Sequence, residues 1–222
     1  MSQPASRRRA VIVMAKRPAA GSTKTRLAPA LSLESAAELY ERFLLDTIHM
    51  ISSRTDCTTV IAIEDASSAD YFTSIAPGVA QVLQLGDSLG PRLDSVLRSC
   101  LADGLEQVVA IGSDSPDLPS SHIDEAFDML DQGEVDVVLG PTDDGGYYLI
   151  GWKQPWSPMV VEVEMSTAAV LTDTLAVAER VGARCALAPT WYDVDEPADL
   201  ARLRSSSTLT QAVHTADLLK AL

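Results

Sequence analysis

Cysteine and histidine are scarce in this sequence, which holds only three of each among 222 residues. The cysteines, Cys57, Cys100 and Cys185, stand far apart in apolar stretches, with no CxxC pair and no neighbouring histidine. An odd number at irregular spacing predicts neither a disulfide framework nor a zinc site. We therefore expect the cysteines to be small core residues. No serine or cysteine motif accompanies a histidine, so a hydrolase triad is not indicated.

Long apolar runs and an overall basic charge are also missing. No stretch approaches the roughly 20 apolar residues of a membrane span, and the N-terminal MSQPASRRRA lacks the apolar centre of a signal peptide. The net charge of −14 and the pI near 4.5 speak against a nucleic-acid partner, because duplex binding needs a basic face. The sequence predicts a cytoplasmic enzyme with neither a membrane span nor a nucleic-acid partner.

The acidic balance is reversed at the N-terminus, where residues 1–26 contain no Asp or Glu but seven Lys and Arg residues. Local positive charge on an acidic protein suits a compact anionic ligand such as a phosphate group. The arginines of residues 7–9 are interpreted instead as part of a solvated tail. We expect residues 1–9 to form a flexible tail and residues 10–222 to form a single domain.

Short apolar runs alternate with stretches of helical periodicity along the chain. This alternation predicts an α/β fold whose mostly parallel sheet is covered by helices on both faces. A capping box of Ser121 and Asp124 is expected to begin the fourth helix, and the stretch after Ser205 is expected to be loosely held. The predicted strands cover residues 10–15, 58–63, 80–84, 107–112, 135–139, 147–150 and 185–187. The predicted helices cover residues 33–51, 66–75, 89–101, 121–130 and 167–181, with a last one from residue 196.

The loop AKRPAAGSTKTRL, residues 15–27, follows the first predicted strand. Small side chains let backbone N–H groups approach phosphate oxygens, while Lys24 and Arg26 neutralise charge. The loop is neither a Walker A motif nor GxGxxG, because its glycine and lysine are not adjacent and further glycines are missing. An ordinary surface loop with a few cations remains the alternative.

Three acidic motifs follow later strands. In GSDSPDLP, Asp114 is a candidate magnesium ligand at a strand end, whereas Asp117 fits an Asx turn equally well. In GPTDDGGYYLIG, residues 140–151, the acids and glycines fit either a structural turn or a substrate wall. In DVDEPADL, residues 193–200, the later acids suit helix capping, and one of Asp193 and Asp195 should face the crevice of Asp114.

These segments, in this order, resemble the GT-A superfamily of nucleotide-sugar transferases and nucleotidyltransferases. More narrowly, the chain is similar to the arsenosugar-biosynthesis-type glycosyltransferases, and more distantly to phospholactate and molybdenum cofactor guanylyltransferases. The matching pieces are AKRPAAGSTKTRLAP, QLGDSLGPRL, GSDSPDLP, GPTDDGGYYLIG and DVDEPADL. The resemblance implies a Rossmann-like, three-layer α/β/α sandwich with a mixed, mostly parallel sheet. Two departures are Ser115, where the family has cysteine, and residues 164–167 (EMST), where it often has an aromatic followed by Ser-Thr.

The resemblance also implies roles for single residues. Asp114 and Asp195 would hold Mg²⁺ or Mn²⁺, and the catalytic group would comprise Asp114, Lys24, Asp143 and Asp144. Gly145, Gly146 and Tyr147 would border the substrate. The nucleotide would be bound by Ala15, Lys16, Gly21, Lys24, Thr25, Arg26, Gln84, Gly86, Leu89, Gly90, Arg92 and Ser113.

The expected activity is a metal-assisted transfer of sugar from a nucleoside-diphosphate sugar to a small-molecule acceptor. The first alternative is a nucleotidyltransferase that releases pyrophosphate from a nucleoside triphosphate, and the second is a catalytically idle nucleotide-binding module. Asp143, Asp144 and Glu162 are the unranked candidates for the general base. The oligomeric state is left open between a monomer and a homodimer.

Overall fold

The computed structural model describes residues 8–221 of the chain. Seven strands form a single sheet within this part of the chain, in the order β3-β2-β1-β4-β6-β5-β7. All neighbouring strands are parallel except β6, which is antiparallel to both β4 and β5. The strands are β1 (Arg9–Ala15), β2 (Thr58–Ile63), β3 (Ala80–Leu83), β4 (Gln107–Ile111), β5 (Val137–Pro141), β6 (Tyr147–Trp152) and β7 (Cys185–Leu187).

Helices lie between the strands, as the alternation of patterns predicts. They are α1 (Leu33–Ser52), α2 (Ala69–Ile75), α3 (Leu89–Ala102), α4 (Ser120–Asp131), α5 (Pro158–Val161), α6 (Val170–Val181), α7 (Pro197–Ser205) and α8 (Val213–Ala221). Short 3-10 turns cover Thr25–Leu27, Ala66–Ser68 and Ser207–Gln211. The predicted α/β class and mixed, mostly parallel sheet are confirmed.

Successive side chains of a strand point to opposite faces of the sheet. Because the strands are continuously apolar, each face of the sheet is covered by a hydrophobic core of its own. In β1, Val11 and Val13 pack beneath α1, α2 and α4, whereas Ala10 and Ile12 pack beneath α3, α5 and α6. A third cluster joins α1 to α7 and α8 and includes the fully buried Phe43. These layers leave the carboxyl ends of β1, β2, β3 and β4 at one edge of the sheet.

Several predicted boundaries differ from the structure. Residues 1–7 of the predicted tail lie outside the described residues, and Arg9 already belongs to β1. The predicted capping box is wrong, because α4 begins at Ser120 after Pro119, and Asp124 instead pairs with Arg54 at 2.6 Å. The helix predicted from residue 167 begins at Val170, four residues after Ser166, whose φ is 65°, and α5 precedes it unpredicted.

The C-terminal segment is held more firmly than the sequence predicts. Asp46 of α1 is buried, and its carboxylate accepts from the backbone N–H groups of His214 and Thr215 at the start of α8. Leu219 of the same helix is buried in the third cluster. The sequence did not predict this helix cap, because the capping side chain, Asp46, lies far from α8 along the chain.

The cysteines follow their expected role in part. Cys100 is buried, whereas Cys57 and Cys185 are half-buried. Burial raises the pKa of each thiol, to about 11 for Cys100 and Cys185. All three are therefore poor nucleophiles.

Candidate active site at the carboxyl ends of the strands

A cleft of about 480 Å³ opens where β1, β3 and β4 end, and we call it the main cleft. In parallel α/β sheets, ligands collect at this edge, outside the carboxyl ends of the strands. Its walls include the loop after β1, the start of α3, the residues after β4, and Asp193 and Asp195. A volume of this size is typical of sites for small molecules.

Lys24 is the central cation of the main cleft. Its side chain is only 4% exposed, and its ammonium lies 2.5 Å from Asp114 Oδ1 and 2.8 Å from Asp195 Oδ1. The loop that carries it turns tightly, because the backbone N–H groups of Ser22 and Thr23 both donate to the carbonyl of Ala19. One ammonium thus joins two carboxylates that stand far apart in the sequence.

Opposing effects determine the charge of Lys24. Burial is the largest and lowers the pKa of the ammonium, but attraction to Asp114 and Asp195 outweighs it, so the pKa lies above its ordinary value. Lys24 is therefore a permanent positive charge at neutral pH. Arg26 adds a second cation from the solvent side, with Nη2 at 2.8 Å from Asp195 Oδ2.

Backbone and side-chain hydrogen bonds bring the two acidic segments together. The backbone N–H of Val194 donates to the carbonyl of Asp114 at 2.9 Å, and Ser115 Oγ donates to the carbonyl of Tyr192 at 2.8 Å. These bonds span the distance between β4 and the segment after β7. They fix the separation of Asp114 and Asp195 independently of any ligand.

Asp193 is a third carboxylate behind this pair. Its burial is the main reason that its pKa is raised to about 6, and the negative charge of Asp114 raises it further. The single hydrogen of the Ser115 hydroxyl is shared between the carbonyl of Tyr192 and Asp193 Oδ1, each 2.8 Å away, and its bond to Asp193 partly offsets that rise. Residues 193–195 (Asp-Val-Asp) form what we call the DVD segment. The sequence predicted that one of its two acids would face the crevice, whereas both line the main cleft.

Asp117 is a structural residue. It is 1% exposed, and its Oδ2 accepts from the hydroxyls of Tyr192, Ser206 and Thr208 at 2.5–2.9 Å. These contacts tie the loop after β4 to the segment after α7. Neither a metal ligand nor the expected Asx turn describes this role.

Tyr40 of α1 forms the floor beneath the loop after β1. Its hydroxyl shares a 2.9 Å hydrogen bond with Ser113 Oγ and accepts from the backbone N–H of Lys16 at 3.1 Å. Burial, and then the charge of Asp114, raises the pKa of Tyr40 to about 12. The phenol therefore stays protonated and can serve as a neutral hydrogen-bonding group.

The GPTDDGG turn forms the far side of a second, acid-rich cleft of about 230 Å³. Asp143 pairs with Arg202 at 2.6 Å. Asp144 Oδ1 accepts from Thr142 Oγ1 and from the backbone N–H of Gly146, so it stabilises the turn itself. The second cleft shares Asp193 and Asp195 with the main cleft.

The described residues contain no group of three or more His, Cys, Asp or Glu side chains arranged to hold a metal. Asp114 and Asp195 are a pair, each within 2.8 Å of the same cation, Lys24 Nζ. In residues 8–221 no helix is both long enough and apolar enough to cross a bilayer.

The profile of the bacterial family DUF2064, described as an uncharacterized protein conserved in bacteria, matches residues 47–167. The chain belongs to this family. The matched region contains Asp114 and the acidic turn, whereas the loop after β1 and the DVD segment lie outside it. No curated protein sequence matches the chain significantly.

Several solved structures are similar to this family member over most of its length. A candidate nucleotide-diphospho-sugar transferase from Desulfovibrio desulfuricans G20 is 28% identical, with a TM-score of 0.82 over 96% of this chain and 97% of that one. Molybdopterin-guanine dinucleotide biosynthesis protein A from Archaeoglobus fulgidus is 15% identical, with a TM-score of 0.55 over 87% and 95%. Glucosyl-3-phosphoglycerate synthase from Mycobacterium tuberculosis, solved with Mn²⁺, UDP and glucosyl-3-phosphoglycerate, is 13% identical, with a TM-score of 0.52 over 95% and 80%. The resemblance to GT-A-type transferases is thereby confirmed.

The main cleft gathers about half of the site residues that the sequence indicates. Those lining it are Ala15, Lys16, Lys24, Gln84, Leu89, Arg92, Ser113, Asp114, Tyr147 and Asp195. Those outside its walls are Gly21, Thr25, Arg26, Gly86, Gly90, Asp143, Asp144, Gly145 and Gly146. Arg26, Asp143 and Asp144 border the second cleft instead.

Two of the glycines outside the main cleft have packing roles. A Cβ at Gly145, where φ is +92°, would lie 2.1 Å from the carbonyl oxygen of Ala168, and one at Gly90 would lie 2.0 Å from that of Val160. Both positions therefore allow two backbone segments to touch. The sequence motif showed that glycine was special here, but not whether a ligand or the chain itself required it.

Tyr40 and Thr23 line the main cleft and escaped the sequence prediction as site residues. Tyr40 has helical spacing with the apolar face of α1, so periodicity assigns it to the core. Ser166, in the loop where the chain departs from related transferases, also lines the cleft and has a φ of 65°. Positive φ in a residue other than glycine is typical of strained functional loops.

Proposed function

We propose that this chain transfers a sugar from a nucleoside-diphosphate sugar to a small-molecule acceptor, with the help of Mg²⁺ or Mn²⁺. The observation that carries the proposal is the placement of Lys24 between Asp114 and Asp195 in the main cleft. The likeness to the candidate nucleotide-diphospho-sugar transferase over nearly the whole chain supports it.

The donor set fits a divalent cation. Two carboxylates reach one shared position, and Lys24 shows that this position already attracts positive charge. Mg²⁺ binds through one or two carboxylates plus phosphate oxygens of the substrate, which agrees with a pair rather than a full cage. We assign Asp114 and Asp195 as the ligands. When bound, the metal would neutralise negative charge on the departing diphosphate.

The cations of the loop after β1 would bind the phosphates. Lys24 can donate three hydrogen bonds, and Arg26 stands 66% exposed beside it, free to turn toward an incoming anion. Positioned charges of this kind stabilise the negative charge that develops on a leaving group. Lys24 and Arg26 thus bind the donor and favour its cleavage through the same interaction.

We place the acceptor toward the second cleft. Asp193 and Asp195 form the boundary between the two clefts, so a molecule there would lie next to the reacting group. None of the three sequence candidates for the general base lines the main cleft: Asp143 pairs with Arg202, Asp144 stabilises its turn and Glu162 pairs with Arg180. Asp193 and Asp195 are therefore the carboxylates that we propose to lie beside the acceptor.

The second candidate is a nucleotidyltransferase that releases pyrophosphate. The two cations near the carboxylate pair favour it, because an additional phosphate would find a partner in Arg26. Reaction products distinguish the two activities. Incubation with nucleotide sugars should yield the nucleoside diphosphate under our proposal, and incubation with GTP or UTP should yield pyrophosphate under the alternative.

A thermal-shift panel tests the proposal before any acceptor is known. UDP, GDP, ADP, CDP and dTDP, each with Mn²⁺ or with EDTA, should include a nucleotide that protects the protein only with Mn²⁺. Asp114→Asn should abolish that dependence, whereas Asp128→Asn, an exposed acid of α4, should preserve it. Equal protection in EDTA would indicate a nucleotide-binding module without metal-dependent chemistry.

A further inference from the structure

The main cleft opens where β1 and β4 stop pairing with each other. The last residues paired between these two strands are Val13 and Ile111, whereas β1 stays paired with β2 up to Ala15. The strand order also reverses here, because the chain runs from β1 to β3 on one side and returns to the other side of β1 for β4. Ligands of α/β sheets bind at such a reversal, so the separation of the two strand ends determines the width of the site.

The hydroxyl of Tyr40, on α1, bridges the separated ends of β1 and β4. It accepts from the backbone N–H of Lys16, directly after β1, at 3.1 Å, and it shares a 2.9 Å hydrogen bond with Ser113 Oγ, after β4. Ser113 Oγ also reaches the carbonyl of Met14 at 3.2 Å, and a carbonyl can only accept. Ser113 therefore donates to Met14, and Tyr40 donates to Ser113. The three bonds form a chain with a single direction, which we call the hydroxyl bridge.

The hydroxyl bridge is buried and uses the hydrogens of both hydroxyls. Tyr40 is 4% exposed and Ser113 is 3% exposed. Burial, followed by the negative charge of Asp114, raises the pKa of Tyr40 to about 12, so the phenol keeps the hydrogen that it donates at neutral pH. Because a buried polar group without a partner is unfavourable, each bond of the bridge restrains the two strand ends.

The hydroxyl bridge reaches both halves of the proposed site. Ser113 directly precedes Asp114, which we assign as a metal ligand. The bond on the β1 side holds the start of the loop that carries Lys24. Phe43, three residues after Tyr40 on α1, lies beneath the same loop, with its ring centre 5.9 Å from the Lys24 ammonium. One face of α1 thus supports the cation, the carboxylate and the gap between them.

We propose that Tyr40 is a positioning residue that fixes the separation between Asp114 and the loop after β1, and so prepares the cleft for a diphosphate with its metal. This inference rests on the proposed nucleotide site. The hydroxyl acts through Ser113 and through the backbone of Lys16, not through a contact with the ligand.

Tyr40→Phe isolates the contribution of the hydroxyl, because the ring that packs on α1 is kept. The N–H of Lys16 then loses its acceptor and Ser113 loses its donor, so the ends of β1 and β4 are less restrained. Loss of a hydrogen bond of this kind should weaken the binding that depends on it by about 3- to 10-fold.

Calorimetric titrations with UDP, GDP, ADP, CDP and dTDP, each in Mn²⁺, test the inference on every nucleotide that the wild type binds. Tyr40→Phe and Ser113→Ala should each weaken binding by about 3- to 10-fold. The double variant should bind no more weakly than the weaker single variant, because both changes break the same hydroxyl bridge. Tyr71→Phe is the matched control, since the Tyr71 hydroxyl donates to Glu41 and Tyr71 is absent from the cleft wall, and it should preserve the affinity.

The outcomes separate a positioning role from a merely structural one. If Tyr40→Phe lowers the Tm but binds nucleotide within about twofold of the wild type, the inference is overturned. Additive losses in the double variant would also overturn it, because the two hydroxyls would then act separately. If Tyr40→Phe does not fold, Ser113→Ala breaks the bridge from its other end, and unchanged affinity in that variant is decisive against the inference. If the wild type binds none of the five nucleotides, the proposed function is overturned and this inference with it.

Discussion

Replacement of Asp193 by asparagine should stabilise the protein, and it should do so only where the carboxylate is charged. Asp193 is half-buried beside Asp114, and the loss of hydration together with the neighbouring negative charge raises its pKa from 3.8 to about 6. Asparagine keeps the shape of the side chain and the oxygen that accepts from Ser115. It removes the buried negative charge at every pH.

The size and sign of the effect follow from the two pKa values. A carboxyl group with a raised pKa in the folded state contributes stability below its unfolded pKa, and this contribution is lost as the pH rises through the folded pKa. The difference between 3.8 and about 6 corresponds to about 3 kcal/mol of unfolding free energy. The variant should therefore exceed the wild type by about 3 kcal/mol at pH 8 and by less than about 1 kcal/mol near pH 4.

Urea unfolding in buffers containing EDTA, from pH 4 to pH 8, measures this difference without interference from metal. At pH 8 the gain corresponds to an increase of about 6–12 °C in Tm for a chain of this size. Asp128→Asn, which changes an exposed acid on α4, should show no such rise with pH. A variant that is less stable than the wild type at pH 8, or a gain that is equal at all pH values, would refute the reasoning.

Three further substitutions test the loop after β1, the acidic turn and the C-terminal helix. In EDTA, Lys24→Met should lower the free energy of unfolding by about 2 kcal/mol, because the carboxylate pair loses its cation. Mn²⁺ should then raise the Tm of the variant more than that of the wild type. An equal rise of both Tm values with Mn²⁺ would contradict this prediction. Gly145→Ala should lower the free energy of unfolding in urea by about 3 kcal/mol, since the added Cβ would meet the carbonyl of Ala168. Gly182 also has a positive φ but has open space around it, so Gly182→Ala should cost only about 1 kcal/mol. Equal losses in the two variants would exclude the clash. Asp46→Ala should expose α8 to proteolysis by removing the acceptors of two of its N–H groups, at a cost of about 1–2 kcal/mol. Asp46→Asn retains only one acceptor oxygen and should expose α8 less than the alanine variant does.

The fold was largely predictable because its strands carry their own signal. Continuous apolar runs such as β1 and β4 are buried on both faces of the sheet, and their spacing leaves room for one helix between strands. The sequence did not predict contacts between segments that are far apart along the chain. The cap of α8 comes from Asp46, and α4 begins without any side-chain cap, so neither end could be derived from its neighbours in sequence.

The candidate site was predictable only where residue type and position agree. Asp114 stands directly after a central strand, and the functional edge of the sheet is known in advance. Tyr40 illustrates the opposite case, because its ring packs like a core residue while its hydroxyl reaches Ser113. Asp144 is a third case, since an acid beside two glycines fits a turn as well as a catalytic wall, and only the contacts to Thr142 and Gly146 decide between them.

The conformation of Lys24 connects these observations. Its φ of 49° lies in the left-handed region, which costs a residue other than glycine about 1 kcal/mol or more. Such strain persists only where the surroundings impose it, and here Asp114 and Asp195 hold the ammonium from two distant segments. Those segments are joined by hydrogen bonds between the residues after β4 and the residues after β7, so we expect the loop after β1 to reach its final shape only once both segments are in place. A motif of small residues and cations therefore cannot reveal by itself whether it binds phosphate, because the carboxylates that orient its lysine belong to other parts of the chain.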